Sequence, residues 1–96
     1  MDKLSKAQVL DHMKILNELW QFKDEYIVRE FLFKNFEEAF NFMSQIAIKA
    51  EKHDHHPDWS NSYNKVLIRL RTHDSDSITT KDIKLASEID KIFEQQ

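Results

Sequence analysis

Asn35-Phe-Glu-Glu-Ala-Phe-Asn-Phe-Met-Ser-Gln-Ile-Ala-Ile-Lys-Ala-Glu-Lys-His-Asp-His-His-Pro57 is the stretch on which the fold turns. Asn35 is of the type favoured at a helix N-cap, and Glu37 and Glu38 follow where negative charge suits the helix dipole. Phe36, Ala39, Phe40, Met43, Ile46, Ala47 and Ala50 recur at helical spacing, which predicts an amphipathic helix reaching about His53. Pro57, the only proline, cannot continue it, and the residue before a proline avoids helical geometry. The segment Glu51 to Trp59 therefore falls at the helix end and in its exit loop. It holds three histidines and three carboxylates within the eight residues Glu51 to Asp58. Imidazole, with an unperturbed pKa of ~6.5, both gives and takes protons near neutrality, so this cluster is the first candidate for chemistry. The competing reading is a solvated loop whose histidines only cap the helix.

On the N-terminal side, Ser5 with Gln8 forms a capping-box pattern, and Val9, Met13 and Leu16 continue it as a short helix to about Leu16. Leu19, Trp20 and Phe22 running into Lys23-Asp-Glu25 read as a brief strand and a polar turn. Tyr26 to Lys34 is rich in β-branched and aromatic residues and reads as a strand apolar on both sides, with Arg29 interrupting the parity of Ile27, Phe31 and Phe33. On the C-terminal side, Ser62 to Thr72 alternates, with Val66, Ile68 and Leu70 on one face and Lys65, Arg69 and Arg71 on the other. His73-Asp-Ser-Asp-Ser77 is its exit turn. Thr79 with Asp82 then opens a last helix whose stripe is Leu85, Ala86, Ile89, Ile92 and Phe93. The order α-β-β-α-β-α predicts one α+β domain, an antiparallel sheet with helices packed on one face.

Composition narrows the function. The chain has 96 residues, 41% apolar and 32% charged, as an ordinary single globular domain does. A net charge of −3 gives no basic footprint for nucleic acid. No apolar run approaches the ~20 residues that span a bilayer. The start Met-Asp-Lys-Leu-Ser lacks the pattern of a signal peptide, so the expected location is the cytoplasm. Without cysteine there are no disulfides or thiol catalysis, and without glycine there are no phosphate-cradling glycine loops.

Glu51-x-x-x-His55-His56-Pro57, Tyr63 six residues on, His73 ten further and Asp82 nine beyond that together resemble the signature of the pterin-4a-carbinolamine dehydratases. Phe31-x-Phe-Lys-x-Phe36, Ala39-Phe40-x-Phe-Met43, Ala50-Glu-Lys52, Tyr63-Asn-Lys-Val66, Thr72-His73 and Lys81-Asp-Ile-x-Leu85-Ala86 extend the likeness, which covers about Trp20 to the C-terminus. The resemblance implies a four-stranded antiparallel sheet and assembly into a homodimer or homotetramer. It implies dehydration of 4a-hydroxytetrahydropterin to quinonoid dihydropterin, recycling the tetrahydrobiopterin cofactor of aromatic amino acid hydroxylases, with no cofactor or metal. By resemblance, His55, His56 and His73 are catalytic, and Glu51, Asp54, Trp59 and Asp82 line or support the pterin. Asp82 also stands where an acidic residue simply caps a helix, and Glu51 lies one helical turn before His55. Asp76 and Ser77 occupy positions where family members commonly carry glycine, and His53 has no family counterpart.

Two other functional classes compete. His53, Asp54, His55 and His56 are of metal-ligating type, yet neighbouring ligands rarely converge on one ion and no second group stands at i, i+4 spacing. Some animal members of the family stabilise a transcription-factor dimer, which nothing in this sequence supports. A role in molybdopterin-related metabolism is the remaining alternative to pterin recycling.

Overall fold

Asn35 does cap the long helix: its side chain accepts the Glu38 N–H at 2.9 Å, and α2 runs Phe36–His53. In the computed structural model, which describes residues 3–96, the elements are α1 (Lys6–His12), a 3-10 turn (Met13–Ile15), β1 (Gln21–Lys23), β2 (Tyr26–Leu32), α2, β3 (Asp58–Ser62), β4 (Lys65–Leu70) and α3 (Thr80–Glu94). The strands form one antiparallel sheet in the order β1-β2-β4-β3. Ile27, Phe31, Val66, Ile68 and Leu70 from the sheet meet Val9, Phe42, Ile46, Leu85 and Ile89 from the helices in one core. The α+β expectation holds.

Four particulars differ from the sequence reading. Asp58–Ser62 is a strand that the order α-β-β-α-β-α left out, because Asp-Trp-Ser-Asn-Ser carries turn formers and little apolar alternation. The segment Ser62 to Thr72 is split accordingly: Ser62 ends β3, Tyr63 and Asn64 make the turn, and β4 is Lys65–Leu70. The N-terminal helix stops at His12 and tightens into the 3-10 turn rather than continuing to Leu16. The buried stripe of α2 is Ala39, Phe42, Ile46 and Ala50, whereas Phe36, Phe40 and Ala47 face outward. The apolar arc of α2 is wider than the strip that the sheet and α3 cover, and spacing alone does not say which edge of such an arc is buried.

Turns without glycine are made by residues that accept positive φ. Asp24 (φ 52°) and Glu25 (φ 66°) close the β1–β2 hairpin, the conformation a two-residue turn of this hand demands. Asp76 (φ 55°) takes the left-handed conformation in the turn after His73, and Arg71 Nη2 donates to its backbone carbonyl at 2.7 Å.

Arg29, which breaks the apolar parity of β2, is buried with a specific partner. Its Nη1 donates to Asp90 Oδ1 at 2.7 Å, Trp20 Nε1 donates to the same oxygen at 2.7 Å, and the Asn17 N–H reaches Asp90 Oδ2 at 2.9 Å. One carboxylate on α3 thus ties down the segment leading into β1 and the centre of β2. Trp20 belongs to this core network.

Candidate active site

The site is built by the way α2 ends. Asp54 adopts left-handed geometry (φ 50°, ψ 44°), its N–H returns to the helix carbonyls, and the His55 N–H bonds the Ala50 carbonyl at 3.0 Å. This Schellman-type stop reverses the chain. It turns His55 inward, where it is only 8% exposed, and leaves His56 at the surface. The chain then enters β3, crosses the Tyr63-Asn64 turn and returns along β4 to Thr72 and His73. A backbone bridge between Thr72 and Ser77 closes the loop that carries His73.

A cavity of about 220 Å³ results, lined by Asp54, His55, His56, Pro57, Asp58, Thr72, His73, Asp74 and Lys81. The three histidines named from the sequence therefore share one hollow. A second, open hollow of about 450 Å³ on the outer sheet face shares Asp58 and His73 with it, and here Trp59 contributes. Trp59 also packs on the core with part of its ring.

Each histidine has its own carboxylate. His55 Nε2 meets Asp82 Oδ1 at 2.6 Å, deep in the protein, with side chains 8% and 0% exposed. His56 Nε2 meets Glu51 Oε2 at 2.9 Å on the surface. His73 Nε2 lies 3.5 Å from Asp58 Oδ2, at the rim between the two hollows. The helical-turn expectation that Glu51 orients His55 is corrected: the helix has already stopped at Asp54, so Glu51 finds His56 instead. Asp82 is wholly buried and reaches the cavity through His55 and Thr72, which line it. His53 is turned aside to Glu88 at 2.8 Å, against α3.

Asp82 caps α3 and holds His55 at once. As the third residue of α3 it accepts the Thr79 N–H at 2.9 Å and completes a capping box, and with its other oxygen it holds His55. Thr72 was quoted in the motif without a role; its hydroxyl donates to Asp82 Oδ2 at 2.7 Å and contacts the Thr79 hydroxyl at 2.7 Å. Asp58 and Lys81, which the cluster and the motif contain without a role, also line the cavity. The usable signal for Lys81 was its place in the first turn of α3, one residue before Asp82. Among the described residues no three His, Asp or Glu side chains converge in a metal-binding arrangement, and no helix is long and apolar enough to cross a membrane.

Chemically, the arrangement offers one fixed imidazole and two adaptable ones around a small polar hollow. The profile of the family described as Pterin 4 alpha carbinolamine dehydratase matches residues 2–92. A protein of Prochlorococcus marinus (strain NATL2A) named "Putative pterin-4-alpha-carbinolamine dehydratase" is 52% identical over 93 residues, 97% of this chain and 98% of its own. One of the same name from Christiangramia forsetii is 44% identical, over 98% of this chain and 96% of its own. The crystal structure of a transcriptional coactivator/pterin dehydratase from Brucella melitensis superposes with a TM-score of 0.90 at 42% identity, covering 95% of this chain and 98% of that one. The chain belongs to the pterin 4 alpha carbinolamine dehydratase family.

Proposed function

We propose that the protein removes water from 4a-hydroxytetrahydropterin, giving quinonoid dihydropterin, by histidine acid–base catalysis. In the reaction an acid protonates the 4a-hydroxyl, the C4a–O bond breaks as water leaves, and the N5 electrons form the C4a=N5 bond while a base takes the N5 proton. The single observation that carries this reading is the buried His55–Asp82 pair opening into a hollow that His56 and His73 also line. The hollow, at about 220 Å³, is smaller than the ~300–1,000 Å³ pockets of drug-sized ligands, so it suits a compact ring system. With its Nε2 proton held by Asp82, His55 presents Nδ1 to exchange a proton with the pterin. His56 and His73, each beside an exposed carboxylate, hold the proton given to the departing hydroxyl. Asp54 and Trp59 bound the ring at the two hollows. The physiological reading is recycling of a tetrahydropterin in the cytoplasm by a homodimer or homotetramer.

The test is the dehydration rate of an authentic carbinolamine, with the unaided rate subtracted at each pH. His55→Ala and His73→Ala should each lose ~10²–10⁴-fold, the usual worth of a positioned acid–base group. Undiminished rates in both, with the fold confirmed by circular dichroism, would remove the catalytic reading.

A further inference from the structure

The buried polar groups behind His55 can be followed proton by proton. Thr79 is fully buried, and its hydroxyl oxygen accepts the Lys81 N–H at 3.2 Å and, through the capping box, the N–H of Asp82. With both lone pairs engaged, that hydroxyl can only donate, and the hydroxyl beside it is Thr72's, at 2.7 Å. Thr72 has a single proton, so having accepted from Thr79 it donates to Asp82 Oδ2 at 2.7 Å. Asp82 Oδ2 also takes the Thr79 N–H at 2.9 Å. The chain of donors ends on a carboxylate oxygen that already receives two protons.

The reverse direction fails on the same count. A proton on Asp82 Oδ2 would have to be given to Thr72, which would then give its own to Thr79. Thr79's proton would be left buried with no acceptor, a costly state for a hydroxyl in this interior. The relay therefore runs one way only, and it keeps a proton off Oδ2, whose two donors favour the carboxylate as the anion. On the anion, Oδ1 faces His55 Nε2 at 2.6 Å as an acceptor, which favours the imidazole proton on Nε2. Nδ1 has no hydrogen-bond partner among the described residues, and the ring lines the cavity.

We infer that Thr72 is a positioning residue, whose hydroxyl, oriented by Thr79, holds Asp82 in the charge state that keeps the His55 proton on Nε2 and leaves Nδ1 for the substrate. This rests on the dehydratase reading of His55 but is tested apart from it. Thr72 also bridges Ser77 through its backbone, so replacing the side chain alone leaves that loop closed.

The experiment is ¹⁵N NMR of the histidine rings in ligand-free protein, which separates an N–H nitrogen from a bare one, joined to steady-state kinetics. Wild-type His55 should carry its proton on Nε2. Thr72→Val should populate the other tautomer and lower kcat about tenfold with KM unchanged, the low end of what losing a partner behind a functional imidazole costs. Thr72→Ser, which restores the hydroxyl, should recover both signals and rate. A wild-type ring protonated on Nδ1 overturns the inference without recourse to any variant. So does a folded Thr72→Val with the wild-type tautomer and rate. If the wild-type enzyme shows no dehydration but the ring signals follow this pattern, the dehydratase reading fails and the proton assignment stands.

Discussion

Asp82→Asn separates the structural from the chemical work of one carboxylate. In the native protein Oδ2 accepts two hydrogen bonds, from Thr72 and from the Thr79 N–H, and Oδ1 accepts one, from His55. Asparagine has a single acceptor oxygen. Placed at the Oδ2 position it keeps the capping box and the Thr72 bond, and its NH₂ then faces His55 Nε2. That nitrogen must become the acceptor, so the imidazole proton moves to Nδ1. Exchanging charge-assisted bonds, worth about 1.5–3 kcal/mol, for neutral ones worth about 0.5–1.5 puts the stability loss at roughly 1–2 kcal/mol. Activity should fall much further, by ~10²–10⁴, because the atom offered to the substrate is now an N–H. Asp82→Ala should behave differently. It strands three buried donors and removes the cap, a loss of roughly 3–5 kcal/mol once partial relaxation is allowed. Urea titration gives the first quantity and stopped-flow dehydration the second. An Asn variant with near-native rate would refute the argument that the Asp82 charge sets the His55 proton. So would equal stability losses in Asn and Ala.

Other outcomes follow from the same geometry. His53→Ala should dehydrate at close to the wild-type rate, since His53 faces Glu88 outside the main cavity, and should lose at most about 1 kcal/mol by urea titration, as partly exposed ion pairs do. Asp90→Ala should lower stability by about 3–5 kcal/mol by the same titration, because it leaves the buried Arg29 guanidinium without its counter-charge, while the rate per folded molecule should hold. Light scattering at micromolar concentration should show a multiple of the 11.6 kDa chain, since Phe36, Phe40 and Ile48 on α2 and Leu32 on β2 expose large apolar surfaces; a monomer would contradict this.

What the sequence made legible depended on whether local pattern or distant partner decided the matter. The caps at Ser5, Asn35 and Thr79 were readable because a cap is satisfied within three residues of itself. The inward parity of β4 was readable because one of its faces is apolar, whereas β2, apolar on both sides, gave no such choice. Strand β3 was not: its pairing with β4 is supplied by the neighbour, and its own side chains argue for a turn. Arg29 looked like a flaw in a strand because its acceptor stands 61 residues away on α3. The site divides in the same manner. The histidines were visible as residues, and their carboxylates were not assignable. Helical spacing proposed Glu51 for His55, but the left-handed Asp54 had already changed the direction of the chain.

The intervals of the motif follow from hairpin geometry. Asp58 pairs Arg69 at the start of β3, and carrying that antiparallel register three residues further sets His55 level with Thr72. The spacing from His55 to His73 is thus fixed by two strands and a two-residue turn. It brings the loop carrying His73 back beside the α2 exit, with Thr72 directly behind the histidine it serves. A one-residue change in this hairpin would reverse which of Thr72 and its neighbours faces inward, because successive strand residues point to opposite sides. The relay to Asp82 would then have no hydroxyl in place. Burial completes the logic. The His55–Asp82 pair is sealed, whereas the pairs of His56 and His73 are open to water, which weakens their hold. In the proposed reaction, one imidazole thus works from a fixed, sealed position. The other two stand where water reaches them, at the mouth of the same hollow.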